Sequence, residues 1–121
     1  MTINAAIEMV DALQPNAFSR QEKICWLSRA EGVILHHLPE TREGKPAFSG
    51  YTTDTDPDTE LLVPEPYAEI YLRYLQAQMD SANGELVRYG NAAALFNQLL
   101  SGYRNYFNRT HTPVGRELNY F

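Results

Sequence analysis

The sequence has a single cysteine, few basic residues and no long hydrophobic run. Cys25 stands alone among 121 residues, which excludes an intramolecular disulfide and a cysteine-based zinc site and favours a reducing compartment. Lys and Arg number 10 against 15 Asp and Glu, so the formal net charge is −5, whereas proteins that neutralise nucleic-acid phosphates need a basic face. The start MTINAAIEMV lacks a basic, apolar signal, and no stretch is long enough to span a membrane. We therefore expect an intracellular protein with no membrane contact.

Motifs that carry catalysis or hold a cofactor are also missing. The chain has no Gly-rich phosphate loop, nucleophile elbow or paired acid-base signature. His36 and His37 would point about 100° apart on a helix and so could not share one ion, and favourable charge at a helix C-terminus explains them. Cys25, beside Trp26, is predicted to be a small core residue. We expect no enzyme, no catalytic residue and no cofactor.

One acidic segment has the carboxylate spacing of a calcium loop. In DTDPDTELLVPE, residues 54–65, the first, third, fifth and twelfth positions are acidic, as in an EF-hand. The segment has Thr59 where the loop needs its turn glycine, it contains Pro57, and AFSGYTT before it is not helical. Glu65, at the predicted start of a helix, is explained by the helix dipole. The prediction is a solvated acidic loop without a metal.

Helical periodicity surrounds this loop. Apolar residues recur every three or four positions from Ile3 to Leu13, which predicts a short first helix that stops at Pro15-Asn16. Ser19-Arg20-Gln21-Glu22 is a capping box and opens a second helix, which Pro39 ends. Glycine, proline, threonine and aspartate then replace the helical period over residues 39–65, so we predict a long loop, in which AFSGY and ELLVP could each add a short strand.

A second apolar seam begins near Pro66, which is predicted to lie in the first turn of a helix. Its members are separated by steps of three or four: Tyr71, Leu75, Met79, Ala82, Leu86, Tyr89, Ala93, Phe96, Leu100, Tyr103 and Phe107. This phase predicts one long helix or two nearly in line. Asn83-Gly84 and Gly90-Asn91 are both possible breaks, and the second is favoured because Asn91 can cap a helix that begins after it.

The C-terminal end combines turn residues with large apolar side chains. Residues 109–121 are predicted to form a flexible tail. Leu118, Tyr120 and Phe121 predict that this tail either binds a partner or folds back on its own domain. The fold prediction is one all-α domain over residues 1–121, with three to four helices and a long C-terminal helical hairpin or kinked helix.

Three strings, ELLVPEPY, RYGNAAALFN and NRTH, carry a resemblance to a known family. Within a likeness that covers roughly Ala6 to His111, they resemble the head-to-tail connector, or adaptor, proteins of tailed bacteriophages and prophages. The resemblance implies an all-helical subunit that joins a ring on the portal, lengthens the DNA channel and links the portal to the next neck or tail-completion protein. The chain departs from the family's pattern at Pro57.

The resemblance also implies which elements reach partners. In such rings a long helical core packs side by side with its neighbours, while loops or tails contact portal or neck proteins. The loop from Asp54 to Val63 and the tail from Thr110 to Phe121 would be the reaching elements. The predicted interaction residues are Asp54, Asp56, Asp58, Glu60, Leu61, Leu62, Val63, Leu118, Tyr120 and Phe121.

A connector of this kind is expected in the virion, and in the host cytoplasm before assembly, with DNA only as passing cargo. The negative net charge would suit a channel through which DNA slides. The residues alone leave an alternative: a non-phage helical interaction module that dimerises through its aromatic helix, since tyrosine suits half-buried surfaces. A calcium-dependent binder or metal enzyme is a third class.

Overall fold

The protein consists of four α-helices in a computed structural model that describes residues 1–111. They are α1 (Ile3–Leu13), α2 (Arg20–His37), α3 (Glu69–Ala82) and α4 (Leu86–Thr110). The predicted all-α class is confirmed, with a long connection between α2 and α3. The two short strands suggested in AFSGY and ELLVP do not form; within residues 1–111 the second contributes only Glu60 to an isolated antiparallel bridge with Thr2.

Side-chain caps begin the first two helices. The Thr2 hydroxyl accepts the Ala5 N–H at 3.0 Å, and the Ser19 hydroxyl accepts the Glu22 N–H at 3.1 Å. Each bond satisfies one of the backbone donors that a helix leaves free in its first turn. The predicted start of α2 at Ser19 is therefore confirmed.

Helix α3 is central to the core. It contacts all three other helices, whereas α4 packs mainly on α3. Because α4 is held from one side, its buried residues form a single stripe. That stripe is Ala92, Phe96, Leu100, Tyr103 and Phe107.

The expectation that α3 begins around Pro66 is wrong. Helix α3 begins at Glu69, and residues 64–68 form a turn in which the Tyr67 N–H donates to the Pro64 carbonyl at 3.0 Å. Pro66 therefore precedes the helix. Glu69, rather than Glu65, is the acidic residue in the first helical turn, where its charge is favourable.

The expected break at Gly90-Asn91 is also wrong, because the chain turns at Asn83-Gly84. Gly84 has φ +72°, a conformation that glycine adopts at little cost. The Glu85 N–H donates to the Asp80 carbonyl at 2.9 Å and the Gly84 N–H to the Ser81 carbonyl at 3.2 Å, which is the Schellman arrangement at a helix C-terminus. Gly90 lies within α4.

Alanine substitutions at the two glycines are expected to have opposite effects. Gly84→Ala places a side chain at a positive φ and should lower the free energy of unfolding by about 1–2 kcal/mol. Gly90→Ala should raise it by about 0.5–1 kcal/mol, because the position is helical and a Cβ there meets nothing within 4 Å. Urea denaturation of both variants beside the wild type measures the difference. Effects of the same sign would contradict the assigned turn.

Candidate interaction surfaces

The acidic loop is fixed to the start of α1 by backbone hydrogen bonds. The Ile3 N–H donates to the Thr59 carbonyl and the Asn4 N–H to the Pro57 carbonyl, both at 3.0 Å. In return, the Leu61 N–H donates to the Met1 carbonyl at 2.9 Å. The loop thus satisfies donors that α1 would otherwise leave free in its first turn. Pro57 supplies one of these acceptors.

The apolar end of the loop belongs to the core. Leu61 and Val63 are 5% and 1% exposed, and Leu62 is half-buried. In this fold Leu61 and Val63 therefore anchor the loop and offer no surface to a partner. The predicted interaction residues of the tail, Leu118, Tyr120 and Phe121, lie outside the described residues.

A buried carboxylate on α2 binds the long loop at two further places, near Tyr51 and at Leu62. Glu31 of α2 is fully buried and accepts hydrogen bonds from the Tyr51 hydroxyl at 2.6 Å, the Tyr71 hydroxyl at 2.5 Å and the Leu62 N–H at 2.9 Å. The Tyr71 oxygen also accepts the Val63 N–H at 2.8 Å. We call this set the Glu31 network. It joins α2, the loop and α3, and it satisfies a buried charge that would otherwise be costly.

Sequence reasoning missed Glu31. It lies between Leu27 and Ile34 at helical spacing, on the buried side of α2. The sequence did contain a signal, because Glu31 is an acidic residue within the apolar stripe of α2. Such a position predicts a buried carboxylate, which must accept hydrogen bonds from donors in other parts of the fold. Those donors come from residues 20 to 40 positions away in the sequence.

Burial makes three tyrosine hydroxyls hard to ionise, two of which belong to the Glu31 network. Burial, together with the neighbouring Glu31 carboxylate, raises the pKa of both Tyr51 and Tyr71 far above the usual value. Burial also raises the pKa of Tyr103. Ionisation of any of these hydroxyls is therefore harder in the folded chain than in the unfolded one.

This difference predicts alkaline destabilisation. An unfolded tyrosine releases its proton near pH 10, whereas the folded ones retain theirs, so the stabilising contribution is complete below about pH 10 and is lost as the pH rises further. Urea denaturation between about pH 8 and 11 should show a steep fall in unfolding free energy. Tyr71→Phe removes one of these groups and should make the fall shallower, and an unchanged slope would contradict the assignment.

The carboxylates of the loop remain at the surface. Asp54, Asp56 and Asp58 are exposed, and the Asp58 N–H donates to the Asp56 carboxylate at 2.9 Å. Glu60, also exposed, contacts the Met1 amino group at 3.1 Å. Across residues 1–111, no three acidic, histidine or cysteine side chains are grouped so that they could hold a metal ion.

Helix α4 presents a second exposed surface. Leu86, Val87 and Leu95 are 76%, 79% and 40% exposed, although the unbroken seam would have buried Leu86. We define the outer face of α4 as the exposed positions that point away from α3 in an ideal helix of 3.6 residues per turn. They are Val87, Asn91, Ala94, Gln98, Ser101 and Asn105.

The charges of α4 and of the loop are of opposite sign. The charged residues of α4 are Arg88, Arg104 and Arg109, all exposed, with no acidic residue in the helix. Residues 51–65 carry acidic side chains and no basic one. Within residues 1–111, none of these arginines forms an ion pair.

An open cleft of about 420 Å³ lies between α2 and residues 51–53. Its wall includes Cys25, Ser28 and Arg29, and no histidine is among the residues that line it. Cys25 is exposed, so its prediction as a core residue is wrong. The cleft thus brings together a thiol and a hydroxyl without an adjacent imidazole base.

Comparisons with protein-family models, curated proteins and solved structures found no match to this chain. None of the helices in residues 1–111 combines the length and apolar character needed to cross a bilayer. A function for this chain is therefore inferred from its fold and its exposed surfaces.

Proposed function

We propose that the chain is a structural virion protein, a head-to-tail connector subunit that assembles as a ring on the portal and links it to the next neck or tail component. The observation that carries the proposal is the one-sided attachment of α4. This helix of 25 residues is about 37 Å long, packs mainly on α3, and leaves its outer face open to a neighbour.

The outer face of α4 is suited to side-by-side packing. Its small and uncharged residues, such as Ala94 and Ser101, permit close approach of a neighbouring surface. The exposed Leu86 and Val87 add apolar area at one end, where burial on assembly would be favourable. These features support a subunit whose long helix contacts its neighbours.

The proposed partners are further copies of the chain, the portal protein and a neck or tail-completion protein. The acidic loop supports this arrangement because its three aspartates project from a segment fixed to α1. The proposed location is the virion, and the host cytoplasm before assembly. DNA would pass only as cargo, and no catalytic role is proposed.

The alternative, a module that dimerises through its aromatic helix, has less support from this geometry. Phe96, Tyr103 and Phe107 are buried in the core of the subunit itself. Tyr89 is 40% exposed and is the aromatic side chain of α4 best placed for a partner. Pairing two α4 helices would also bring their arginines together, and like charges across an interface repel.

Assembly on a portal tests the proposal. The genes on either side should encode a portal, a capsid protein and a tail tube, and the purified chain should add a ring to that portal in electron micrographs. An isolated locus, or a portal left bare at micromolar concentrations of the chain, would overturn the proposal. Deleting residues 114–121 tests the tail, because unchanged assembly would exclude it as a portal contact.

A further inference from the structure

We infer that Asn83-Gly84, in the turn between α3 and α4, is a site of spontaneous covalent modification. Asn83 loses its side-chain nitrogen as ammonia and becomes aspartate or isoaspartate, at a rate that opening of the turn controls. The reaction needs only water and is independent of the proposed function. Its products alter the segment that joins α3 to the helix packed mainly upon it.

The sequence places a glycine after Asn83 and after no other asparagine of the chain. Asparagine is a thermally labile residue, and its loss of ammonia begins when the backbone nitrogen of the next residue attacks the side-chain carbon Cγ. A side chain on that next residue would hinder the attack, and glycine has none. The local sequence therefore favours reaction at this asparagine.

The structure leaves the Asn83 side chain accessible. Asn83 is exposed, and within residues 1–111 no hydrogen bond holds its side chain. Asn16 also lies outside the helices, but three hydrogen bonds fix its side chain. Asn91 and Asn97 lie inside α4, where the helical backbone bonds hold the nitrogen that would have to attack.

Two hydrogen bonds of the turn oppose the reaction until the turn opens. The attacking nitrogen must lose its proton, but the Gly84 N–H donates to the Ser81 carbonyl at 3.2 Å. The rotation that brings this nitrogen to the Asn83 Cγ also moves Glu85, whose N–H donates to the Asp80 carbonyl at 2.9 Å. The Gly84 bond is at the long end of the usual range, and exposed turns open without global unfolding. We therefore expect reaction in the folded chain, but more slowly than in an unfolded one.

The reaction proceeds through a cyclic intermediate. A bond forms between the Gly84 nitrogen and the Asn83 Cγ while the bond from Cγ to Nδ2 breaks. The proton of the Gly84 amide leaves with Nδ2 as ammonia, and a succinimide ring remains. Water then opens the ring at Cγ, which gives aspartate, or at the main-chain carbonyl carbon, which gives isoaspartate with an additional carbon atom in the main chain.

Both products change the turn. Each adds a negative charge at the C-cap of α3, where the helix dipole makes an anion unfavourable. Isoaspartate also lengthens the main chain between Ser81 and Gly84, so that the hydrogen bonds of the turn no longer fit. The isoaspartate form, purified from aged protein, should therefore unfold at a lower urea concentration than Asn83→Asp, which carries the charge alone.

Mass spectrometry of aged protein tests the site. The folded wild type and a synthetic peptide of residues 74–88 are incubated side by side in a mildly alkaline buffer. Tryptic cleavage after Arg73 and Arg88 then releases Asn83 in the same peptide, while Asn91 and Asn97 fall together in residues 89–104. Chromatography separates the aspartate and isoaspartate forms, which have equal mass. The control variant is Asn83→Gln, whose longer side chain must close a less favourable ring.

Asn83 of the folded chain should convert at least about tenfold more slowly than the synthetic peptide, as expected when local opening precedes the reaction. In guanidinium chloride above the unfolding transition, the full chain should react at the rate of the peptide. The peptide of residues 89–104 from the folded chain should keep its amides, and Asn83→Gln should remain unmodified.

The opposite results would overturn the inference. An intact Asn83 in the folded chain after the synthetic peptide has reacted completely would exclude the site. Equal rates in the folded chain and the peptide would exclude control by the turn, and faster conversion at Asn91 or Asn97 would place the labile position in α4. An isoaspartate form as stable as Asn83→Asp would exclude the effect of the longer main chain.

Discussion

Glu31→Ala is expected to lower the free energy of unfolding by about 3–5 kcal/mol. The substitution leaves the hydroxyls of Tyr51 and Tyr71 and the Leu62 N–H without their acceptor, and each unsatisfied buried group costs about 1–3 kcal/mol. Removing the carboxylate also removes the cost of burying its charge. The expected loss of unfolding free energy is therefore smaller than the sum of the costs of the three groups. Against a typical total of about 5–15 kcal/mol, the loss is severe.

Two milder variants separate the effect of the lost hydrogen bonds in the Glu31 network from the effect of lost side-chain volume. Glu31→Gln retains the shape and one carbonyl acceptor and should cost about 1–3 kcal/mol, while Tyr51→Phe removes a single hydrogen bond and should cost about 1 kcal/mol. Urea denaturation gives these values. Hydrogen exchange in Glu31→Ala should show faster exchange at the Leu62 and Val63 amides than at amides in the middle of α4. Uniform exchange, or wild-type stability, would contradict the anchoring role.

Leu75→Ala and Leu86→Ala should differ sharply although both residues belong to the predicted seam. Leu75 lies on α3 and is fully buried in the core. Its truncation should lower the free energy of unfolding by about 2–5 kcal/mol, because apolar burial is lost and a cavity remains. Leu86 is 76% exposed, so its truncation should change stability by less than about 0.5 kcal/mol. The comparison uses one substitution type and therefore isolates burial.

Urea denaturation at one pH measures both leucine variants. Equal and large losses would mean that the seam continues into α4 as the sequence pattern suggested, and that α4 packs on α3 from its first turn. A small loss at both positions would place Leu75 outside the core. The two free energies can be compared only if the slope of unfolding free energy against urea concentration is the same in both variants.

Local chemistry accounts for the features that could be predicted from the sequence. The capping serine, the proline after α2 and the apolar period of α1 act over one or two helical turns, and the corresponding helix bounds are confirmed. The acidic loop was recognised for the same reason, since its prolines and aspartates oppose helix formation within the segment itself.

The turn at Gly84 shows where local reasoning was insufficient. Gly84 and Gly90 both interrupt the same pattern, and the local cue that separates them, the possible capping residue Asn91, favoured the wrong position. The tertiary structure separates them because α3 ends where Gly84 can adopt a positive φ and the Glu85 N–H can reach the Asp80 carbonyl. Once the chain reverses there, Leu86 falls outside the contact between α3 and α4.

The sequence by itself determined the helical class, the starts of α1 and α2 and the acidic character of the loop, since these depend on neighbours a few residues away. The tertiary structure alone decided that Glu31 is a buried anchor, that Leu61 and Val63 are core, and that the outer face of α4 is exposed. Each of these depends on groups distant in the chain. The candidate surfaces therefore become visible only after the helices are packed, because burial is a property of the assembled fold.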